Sequence, residues 1–258
     1  MTEAQKARVR EQFGASAAAY VQSPGHAGGP DLDALVAWGR ARGARRVLDV
    51  ATGGGHTAAA FAAFSPSVIA TDLTEPMLRV ARDFADERRL PALRFLAADA
   101  EALPFRGGSF GVVTCRLAAH HFPGLLPPLR EVARVLSGSG ALLLEDILGH
   151  EDADCAAFIT EVERRRDPSH VRAYSLREWV AFLRAAGLTV IDEKVFSKSR
   201  PWDDWIARMR MTPAARVELE GFVLDAPARC REAFAFQVED GRITSFADRL
   251  LLLRADRD

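Results

Sequence analysis

The sequence predicts an α/β fold in which helices cover both faces of a doubly wound, mostly parallel sheet. From about residue 44, short β-rich runs alternate with segments of helical periodicity. Several runs, such as residues 141–148, are largely apolar, which is typical of strands buried on both faces of a parallel sheet. Strands that alternate with helices form right-handed crossovers. The 258 residues suffice for one large domain of this kind.

The first half of the chain alternates strands and helices regularly. The helix after the first strand stops near Pro66. Thr74 suits the N-cap of the next helix and Pro76 its first turn, with apolar residues behind them at helical spacing. Pro128 opens another helix, which a Ser-Gly repeat ends before a fifth strand at residues 141–148. The four earlier strands are predicted at residues 46–50, 67–71, 93–98 and 109–115.

Beyond the fifth strand, strands and helices no longer alternate regularly. A capping box at residues 175–178 begins a further helix, and a sixth strand is predicted at residues 188–196. An Asp-Gly pair at residues 240–241 is a favoured two-residue hairpin turn. The last arm of that hairpin, residues 249–255, is predicted to join the edge of the sheet.

Two parts of the chain are predicted to lie over the sheet. Residues 1–43 are predicted to form an arm and a helix that cover the active site, and residues 44–258 the main domain. Within that domain, residues 150–174 and 200–232 carry short helical segments, some rich in Trp, Met and Arg. They are predicted to form a small helical cap.

Composition excludes several classes of function. The net charge is −1 and no Lys/Arg cluster dominates a segment, which argues against nucleic-acid binding. No apolar run approaches the ~20 residues of a membrane span, and the N-terminus lacks the apolar stretch of a signal peptide. The three cysteines are scattered without C-x-x-C spacing, so no disulfide framework and no metal site is expected. A cytoplasmic location is therefore expected.

Three acids and a glycine turn mark a ligand site. Asp49 lies at the end of the first predicted strand, Asp72 and Asp99 directly follow the next two, and Gly53-Gly54-Gly55 comes two residues after the first strand. In an open parallel sheet, ligands bind in the crevice beyond the carboxyl ends of the strands. A single such acid is interpreted more simply as a cap at the end of a strand or the start of a helix. Three acids at the same edge of the sheet favour a ligand-binding role.

The glycine turn alone leaves two kinds of cofactor open. Gly53, Gly55 and Ala58 fit the G-x-G-x-x-A fingerprint of nicotinamide and flavin enzymes, with Asp72 at the distance of its ribose-binding acid. Asp49, just ahead of the glycines, would repel a pyrophosphate bound at this turn. A carboxylate favours a cationic ligand instead, such as the ammonium and sulfonium groups of S-adenosylmethionine.

Residues 47–55, VLDVATGGG, resemble motif I of the class I S-adenosylmethionine-dependent methyltransferases, with Ala51 at the first glycine position. Most of the chain is similar to this family. The core resembles its type 11 and ubiquinone/menaquinone C-methyltransferase groups, and the C-terminal half a bacterial subset with a His-His-Phe loop. The resemblance implies a Rossmann-like sheet of seven strands with an antiparallel edge hairpin.

The resemblance also implies a cofactor site for S-adenosylmethionine. Asp72 would bind both ribose hydroxyls, Asp99 would accept from the adenine amino group, and Leu73 and Ala100 would flank the adenine ring. The predicted cofactor set is completed by Asp49, Ala51, Thr52, Gly53, Gly55, Met77, Glu101, Cys115 and Arg116.

The methyl acceptor is predicted to bind near a histidine pair. On an extended segment, His120 and His121 would point to opposite sides, so one of them could reach the pocket. A general base is favoured over a metal ligand, with His121 slightly preferred and Asp146 as a possible assistant. The predicted acceptor pocket contains Phe13, Tyr20, His170, Arg172, Trp202, Trp205 and Met209, with Asp167 as a further candidate.

The predicted function is methyl transfer by in-line displacement to an oxygen or activated carbon of a small, partly apolar metabolite. The cap's aromatic residues and low charge favour such an acceptor over nucleic acid or protein. An NAD(P)-dependent oxidoreductase and a non-catalytic, methyltransferase-like binding protein remain the alternatives. The expected assembly is a monomer or a homodimer.

Overall fold

The computed structural model describes residues 3–21, 27–209 and 211–258. The helices are α1 (Glu3–Val21), α2 (Pro30–Ala41), α3 (His56–Ala62), α4 (Glu75–Glu87), α5 (Leu126–Val135), α6 (Ala153–Arg166), α7 (Leu176–Ala185), α8 (Trp202–Ala207), α9 (Pro213–Leu224) and α10 (Ala228–Ala233). The strands are β1 (Arg46–Val50), β2 (Ser67–Asp72), β3 (Leu93–Ala97), β4 (Phe110–Arg116), β5 (Leu136–Ile147), β6 (Leu188–Pro201), β7 (Gln237–Glu239) and β8 (Arg242–Arg257).

The strands form one twisted sheet in the order β3-β2-β1-β4-β5-β8-β6. The five strands from β3 to β5 run parallel, whereas β8 pairs antiparallel with both β5 and β6. The predicted Rossmann-like, mostly parallel sheet with an antiparallel hairpin edge is therefore confirmed. Short β7 pairs with the start of β8 across the Asp-Gly turn and adds an eighth strand to the seven expected.

The prediction that the last arm joins the edge of the sheet is wrong, because β8 lies between β5 and β6. The side chains of Leu250, Leu251, Leu252 and Leu253 are all fully buried. Four consecutive buried leucines need cover on both faces, which an interior strand provides. The edge strand is β6, whose side chains are mostly exposed and which extends five residues beyond its predicted end.

The N-terminal segment is a helix over most of its length. Phe13 and Ala17 of α1 pack on Met77 of α4. Gly14 faces the Pro76 ring, and a Cβ there would lie at an ordinary contact distance of 3.8 Å. Helix α1 thus lies across the carboxyl ends of the first strands.

The cap has its own apolar core, separate from the two cores on the faces of the sheet. Aromatic residues dominate it, with Trp202 stacked on Trp205 at 5.2 Å between ring centroids. Helices α6, α8, α9 and α10 and the first part of β8 enclose this core. Among the described residues, no helix is long and apolar enough to cross a membrane.

Candidate functional site

The glycine turn connects β1 to α3 through left-handed backbone conformations. Gly53 and Gly55 have φ values of 55° and 83°, which glycine adopts without strain. At Gly55 a Cβ would also lie 3.0 Å from the Cβ of Ala81, so this glycine lets α3 pack against α4. Ala51, at the first glycine position of the motif, has φ of 54°, a left-handed conformation that is strained for a residue with a Cβ.

Asp49 lies beneath the turn and is 1% exposed. Its two oxygens accept hydrogen bonds from the hydroxyls of Thr114 at 2.5 Å and Thr52 at 2.6 Å. Burial raises the pKa of Asp49 to about 6, with the two hydroxyls opposing that rise. The carboxylate therefore acts on the site by its charge and by holding Thr52, and it does not face the cavity.

Asp72 faces the cavity and is fixed by backbone donors. Its Oδ2 accepts from the N–H of Gly53 and its Oδ1 from the N–H of Thr74, both at 2.9 Å. Burial raises its pKa above the ordinary value, while these N–H groups oppose the rise. Each carboxylate oxygen retains lone pairs for a ligand hydroxyl.

Asp99 forms an ion pair that the sequence did not reveal. Lys6 of α1 bonds to its carboxylate and lies 3.7 Å from that of Glu101. Burial would raise the pKa of Asp99, but the bond to Lys6 and the N–H of Glu101 lower it overall. Helix α1 thus covers this end of the cavity, and its Lys6 forms an ion pair with Asp99, the acid predicted to bind adenine.

One cavity extends from the glycine turn to the histidine pair. Helix α1 contributes Val9 and Phe13 to its walls, and His56 and Thr57 are further lining residues that the motif did not indicate. The predicted cofactor residues that line it are Ala51, Thr52, Gly53, Asp72, Leu73, Met77, Asp99, Ala100 and Arg116. Of the described residues in the predicted set, Asp49, Gly55, Glu101 and Cys115 do not line it, and the Cys115 side chain packs in the apolar core.

Arg116 belongs to a buried charge cluster at the floor of this cavity. Its Nε lies 3.0 Å from Oε2 of Glu145, and its Nη2 lies 3.3 Å from Oδ2 of Asp31. Lys198 stands 3.9 Å from the other oxygen of Asp31. Of this cluster, only Arg116 was predicted to belong to the site. Asp31 lies 85 residues before it and Glu145 lies 29 residues after it, so no local pattern connects the three.

The buried Glu145 holds a proton at neutral pH. Burial is the largest cause that raises its pKa to about 8, and the Asp31 carboxylate adds to the rise. Its Oε1 has no donor among the described residues, and two carboxylates can hydrogen-bond only through a proton. Protonated Glu145 therefore donates to Asp31, while Arg116 donates to both.

Glu145→Gln is expected to reduce the loss of stability as the pH rises from about 4.5 to about 8. Because the folded-state pKa is raised from 4.5 to about 8, the stabilisation is present below pH 4.5 and is lost as the pH rises through about 8. The wild type should lose up to about 1.4 kcal/mol per pH unit in this window relative to the variant, since glutamine mimics the protonated acid. Urea unfolding across that pH range measures the difference. Glu193→Gln, at an exposed position, is the control, and parallel pH profiles for the wild type and Glu145→Gln would contradict the prediction.

His120 and His121 lie on a 3₁₀ turn (Ala119–His121) rather than on an extended segment. The prediction that they point to opposite sides is therefore wrong, and their ring centroids are 4.1 Å apart. Asp146 binds His120, with its Oδ1 2.5 Å from Nδ1 and its Oδ2 accepting the His120 N–H at 3.0 Å. Burial lowers the pKa of His120, but Asp146 outweighs this effect and the pKa is raised.

His121 is connected to a different acid. Its Nδ1 lies 3.2 Å from Oγ of Ser169, whose hydroxyl donates to Oδ1 of Asp167 at 2.6 Å. Burial, followed by the neighbouring His120, lowers the pKa of His121 to about 4. Gln5 of α1 donates to the Ser169 carbonyl at 2.8 Å, so the N-terminal helix also holds this arrangement in place.

A second cavity adjoins the first, with Phe13, Leu117 and His121 lining both. The predicted acceptor residues His170, Trp205 and Met209 line it, as do His120 and Asp167. His170 Nε2 is buried and has no hydrogen-bond partner among the described residues.

Two predicted acceptor residues lie elsewhere. Trp202 packs in the apolar core of the cap, because its large ring fits among Trp205, Phe236 and Phe246. Arg172 bonds to Glu178 and lies over the Tyr174 ring. The side chain of Tyr20 lies outside the described part of the chain.

The second cavity is more polar than the sequence suggested. Its walls include ionisable side chains that the predicted apolar cap did not anticipate, namely Glu163, Arg166, Arg200, Arg208 and Asp248. Two acid–base pairs hold most of this charge, Arg166 with Glu163 at 3.1 Å and Arg200 with Asp248 at 2.5 Å.

Comparison with known proteins gives matches over nearly the whole chain. Residues 48–144 match the family described as methyltransferase domain. The uncharacterized methyltransferase YcgJ of Bacillus subtilis is 37% identical over 94% of this chain and 96% of its own length. A crystal structure of a methyltransferase from Bacillus halodurans aligns with a TM-score of 0.85 and 40% identity, over 88% of this chain and 99% of that one. The demethylmenaquinone methyltransferase of Thermus thermophilus is 40% identical, but over only 39% of this chain and 46% of its own.

Proposed function

Because this chain belongs to the class I S-adenosylmethionine-dependent methyltransferase family, we propose that it transfers a methyl group to an acidic oxygen, or to a carbon activated by one, of a small metabolite. The observation that carries the proposal is the single cavity that has the glycine turn and Asp72 at one end and His121 at the other. A cofactor at the first end would thus present its reactive group to the histidines and to the second cavity.

The residues at the first end suit the proposed cofactor. Asp72 offers two pre-oriented carboxylate oxygens for the ribose hydroxyls, and Leu73 and Ala100 line the same cavity as apolar surfaces for adenine. Asp99 keeps acceptor lone pairs for the adenine amino group beside its bond to Lys6. When bound, S-adenosylmethionine supplies a methyl carbon already activated by its sulfonium.

The hydrogen-bond directions make His121 a proton acceptor. Because the Ser169 hydroxyl donates its only proton to Asp167, its oxygen can only accept from His121. His121 therefore carries its proton on Nδ1 and leaves the lone pair of Nε2 for the acceptor. Asp167 and Ser169 are the positioning residues of this base, whereas Asp146 holds His120.

The lowered pKa of His121 restricts the acceptor to acidic groups. With a pKa of about 4, His121 is unprotonated at neutral pH but a weak base. Taking a proton from an aliphatic alcohol, of pKa about 16, would cost about 16 kcal/mol, whereas a phenol of pKa about 10 would cost about 8. A turnover of 1 to 10³ per second allows a total barrier of only about 13–17 kcal/mol. Phenols and enols therefore fit.

Calorimetric titration with S-adenosylhomocysteine and, in parallel, with NADH tests the proposed cofactor. Binding of S-adenosylhomocysteine with NADH inert is the expected result. Tight binding of NADH alone would overturn the proposal in favour of an oxidoreductase. Incubation with methyl-labelled cofactor and a small-molecule extract of bacterial cells, followed by mass spectrometry, then identifies the acceptor.

His121→Asn is expected to lower turnover by about 10²–10⁴-fold, the usual contribution of a general base. The asparagine amide keeps a donor near Ser169 but removes the Nε2 lone pair. Affinity for S-adenosylhomocysteine should stay within about 3-fold, because Asp72 and the glycine turn are untouched. Single-turnover rates with the identified acceptor measure the effect. Full single-turnover rate in this variant would show that the acceptor needs no base.

Several parts of the proposal stay predictions. These are the division into an N-terminal cover (1–43) and a main domain (44–258), the cap segments, the assembly as a monomer or homodimer, and the cytoplasmic location. The absence of nucleic acid from the partners is also a prediction, consistent with the balanced charge of the chain.

A further inference from the structure

Three metal-ligating side chains meet where the cap joins the end of β5, and a second cysteine packs beside one of them. The ligand atoms of His150, Asp152 and Cys155 all lie within 4.8 Å of one another. Cys230 lies 75 residues further along the chain and packs in the same buried cluster as Cys155, because α10 lies against α6. The expectation of no metal site rested on spacing along the chain, whereas the fold places two of the three cysteines in contact.

The donor set suits zinc. Two sulfurs, one imidazole nitrogen and one carboxylate oxygen make a four-coordinate site of the structural type. In such a site the donor atoms lie about 3.3–3.8 Å apart, given Zn–S and Zn–N bonds of about 2.3 and 2.0 Å. The ligand atoms of His150, Asp152 and Cys155, within 4.8 Å of one another, are close to that geometry, and the Cys230 side chain would have to turn toward them.

The present hydrogen bonds leave room for a cation. Asp152 caps α6 through Oδ1, which accepts from the N–H groups of Asp154 and Cys155, and its Oδ2 stands 3.8 Å from Arg229. Arg229 also bonds to Asp154, so it keeps a partner if Oδ2 turns to a metal. His150 accepts the N–H of Asp152 on Nδ1, so ligation through that atom would replace this bond.

Access and protonation are compatible with binding. Cys155 and Cys230 are 3% and 1% exposed, but Asp152 is exposed and His150 half-buried, so a cation can enter from that side. Burial and the neighbouring Cys230 raise the pKa of the Cys155 thiol to about 12. Zinc would displace one proton from each thiol, so its affinity should rise with pH.

We propose that His150, Asp152, Cys155 and Cys230 form a structural zinc site that ties α6 to α10. Helix α6 also carries Glu163 and Arg166 into the second cavity, so the site would stabilise one wall of the proposed acceptor pocket. The inference is independent of the proposed function, since it concerns metal binding to the chain without cofactor or acceptor.

Cobalt(II) titration of the reduced, metal-free protein tests the site. One equivalent should produce a thiolate-to-cobalt charge-transfer band and the intense visible bands of a tetrahedral site, and zinc should abolish both. Cys155→Ser and Cys230→Ser should lose the charge-transfer intensity and weaken zinc binding at least about 100-fold. Cys115→Ser is the matched control, because it alters an equally buried cysteine outside the cluster.

His150→Ala provides a second variant if the serine substitutions impair folding, because His150 is only half-buried. It should keep charge-transfer absorption but bind zinc at least about 10-fold more weakly. The proposal is overturned if cobalt gives no charge-transfer band with the wild type, or if the band is equally strong in folded Cys155→Ser. It is also overturned if His150→Ala binds zinc as tightly as the wild type.

Discussion

Asp72→Ala should lower the affinity for S-adenosylhomocysteine by about 10²–10⁴-fold. In the proposed complex the Asp72 carboxylate accepts from two ribose hydroxyls, and a hydrogen bond to a charged group contributes about 1.5–3 kcal/mol. The substitution also releases the N–H groups of Gly53 and Thr74, which now hold the carboxylate and shape the turn. Calorimetric titration of both proteins measures the loss.

Two further variants make this result specific. Asp83→Ala removes an exposed acid from the same region, in α4, and should bind S-adenosylhomocysteine like the wild type. Asp72→Asn keeps one oxygen acceptor and should fall between the wild type and the alanine variant. An Asp72→Ala protein that melts normally and binds within 3-fold of the wild type would mean that Asp72 serves only as a backbone cap.

The glycine turn and the acids after β2 and β3 could be located from the sequence, because short-range features place them. A strand, its terminal acid and the following turn lie within a few residues, so their juxtaposition needs no knowledge of distant contacts. The contacts of Asp49 could not be predicted. Its position was correct, but its oxygens bind Thr52 and Thr114, and the spacing of the motif does not reveal that a neighbouring strand supplies a hydroxyl.

The acceptor side was less predictable because it depends on contacts between distant segments. The sequence located His120 and His121 but not their partners, and Ser169 follows His121 by 48 residues. Lys6 and Asp31 lie in the part interpreted as a covering arm, where no motif distinguishes a residue of the site from a surface residue. The four leucines of β8 did contain a usable signal, since a continuous apolar run favours an interior strand over an edge.

Arg116→Met is expected to destabilise the fold by about 3–5 kcal/mol, the usual cost of removing one partner from a buried ion pair. The Arg116 and Asp31 side chains are 4% and 2% exposed, so water cannot replace the lost guanidinium. Methionine fills much of the volume but leaves the Asp31 charge with Lys198 as its nearest cation, at 3.9 Å. Urea unfolding at neutral pH measures the change, and Arg106→Met, at an exposed position, should have little effect.

A second substitution separates lost charge compensation from lost packing. Asp31→Asn removes the charge that Arg116 neutralises while keeping an acceptor for the proton of Glu145. The double variant Arg116→Met with Asp31→Asn should therefore be more stable than the sum of the two single effects predicts, by at least about 1 kcal/mol. Strict additivity would mean that Arg116 stabilises the floor of the cavity by packing its side chain. The excess stability of the double variant thus measures the interaction free energy between the Arg116 and Asp31 side chains.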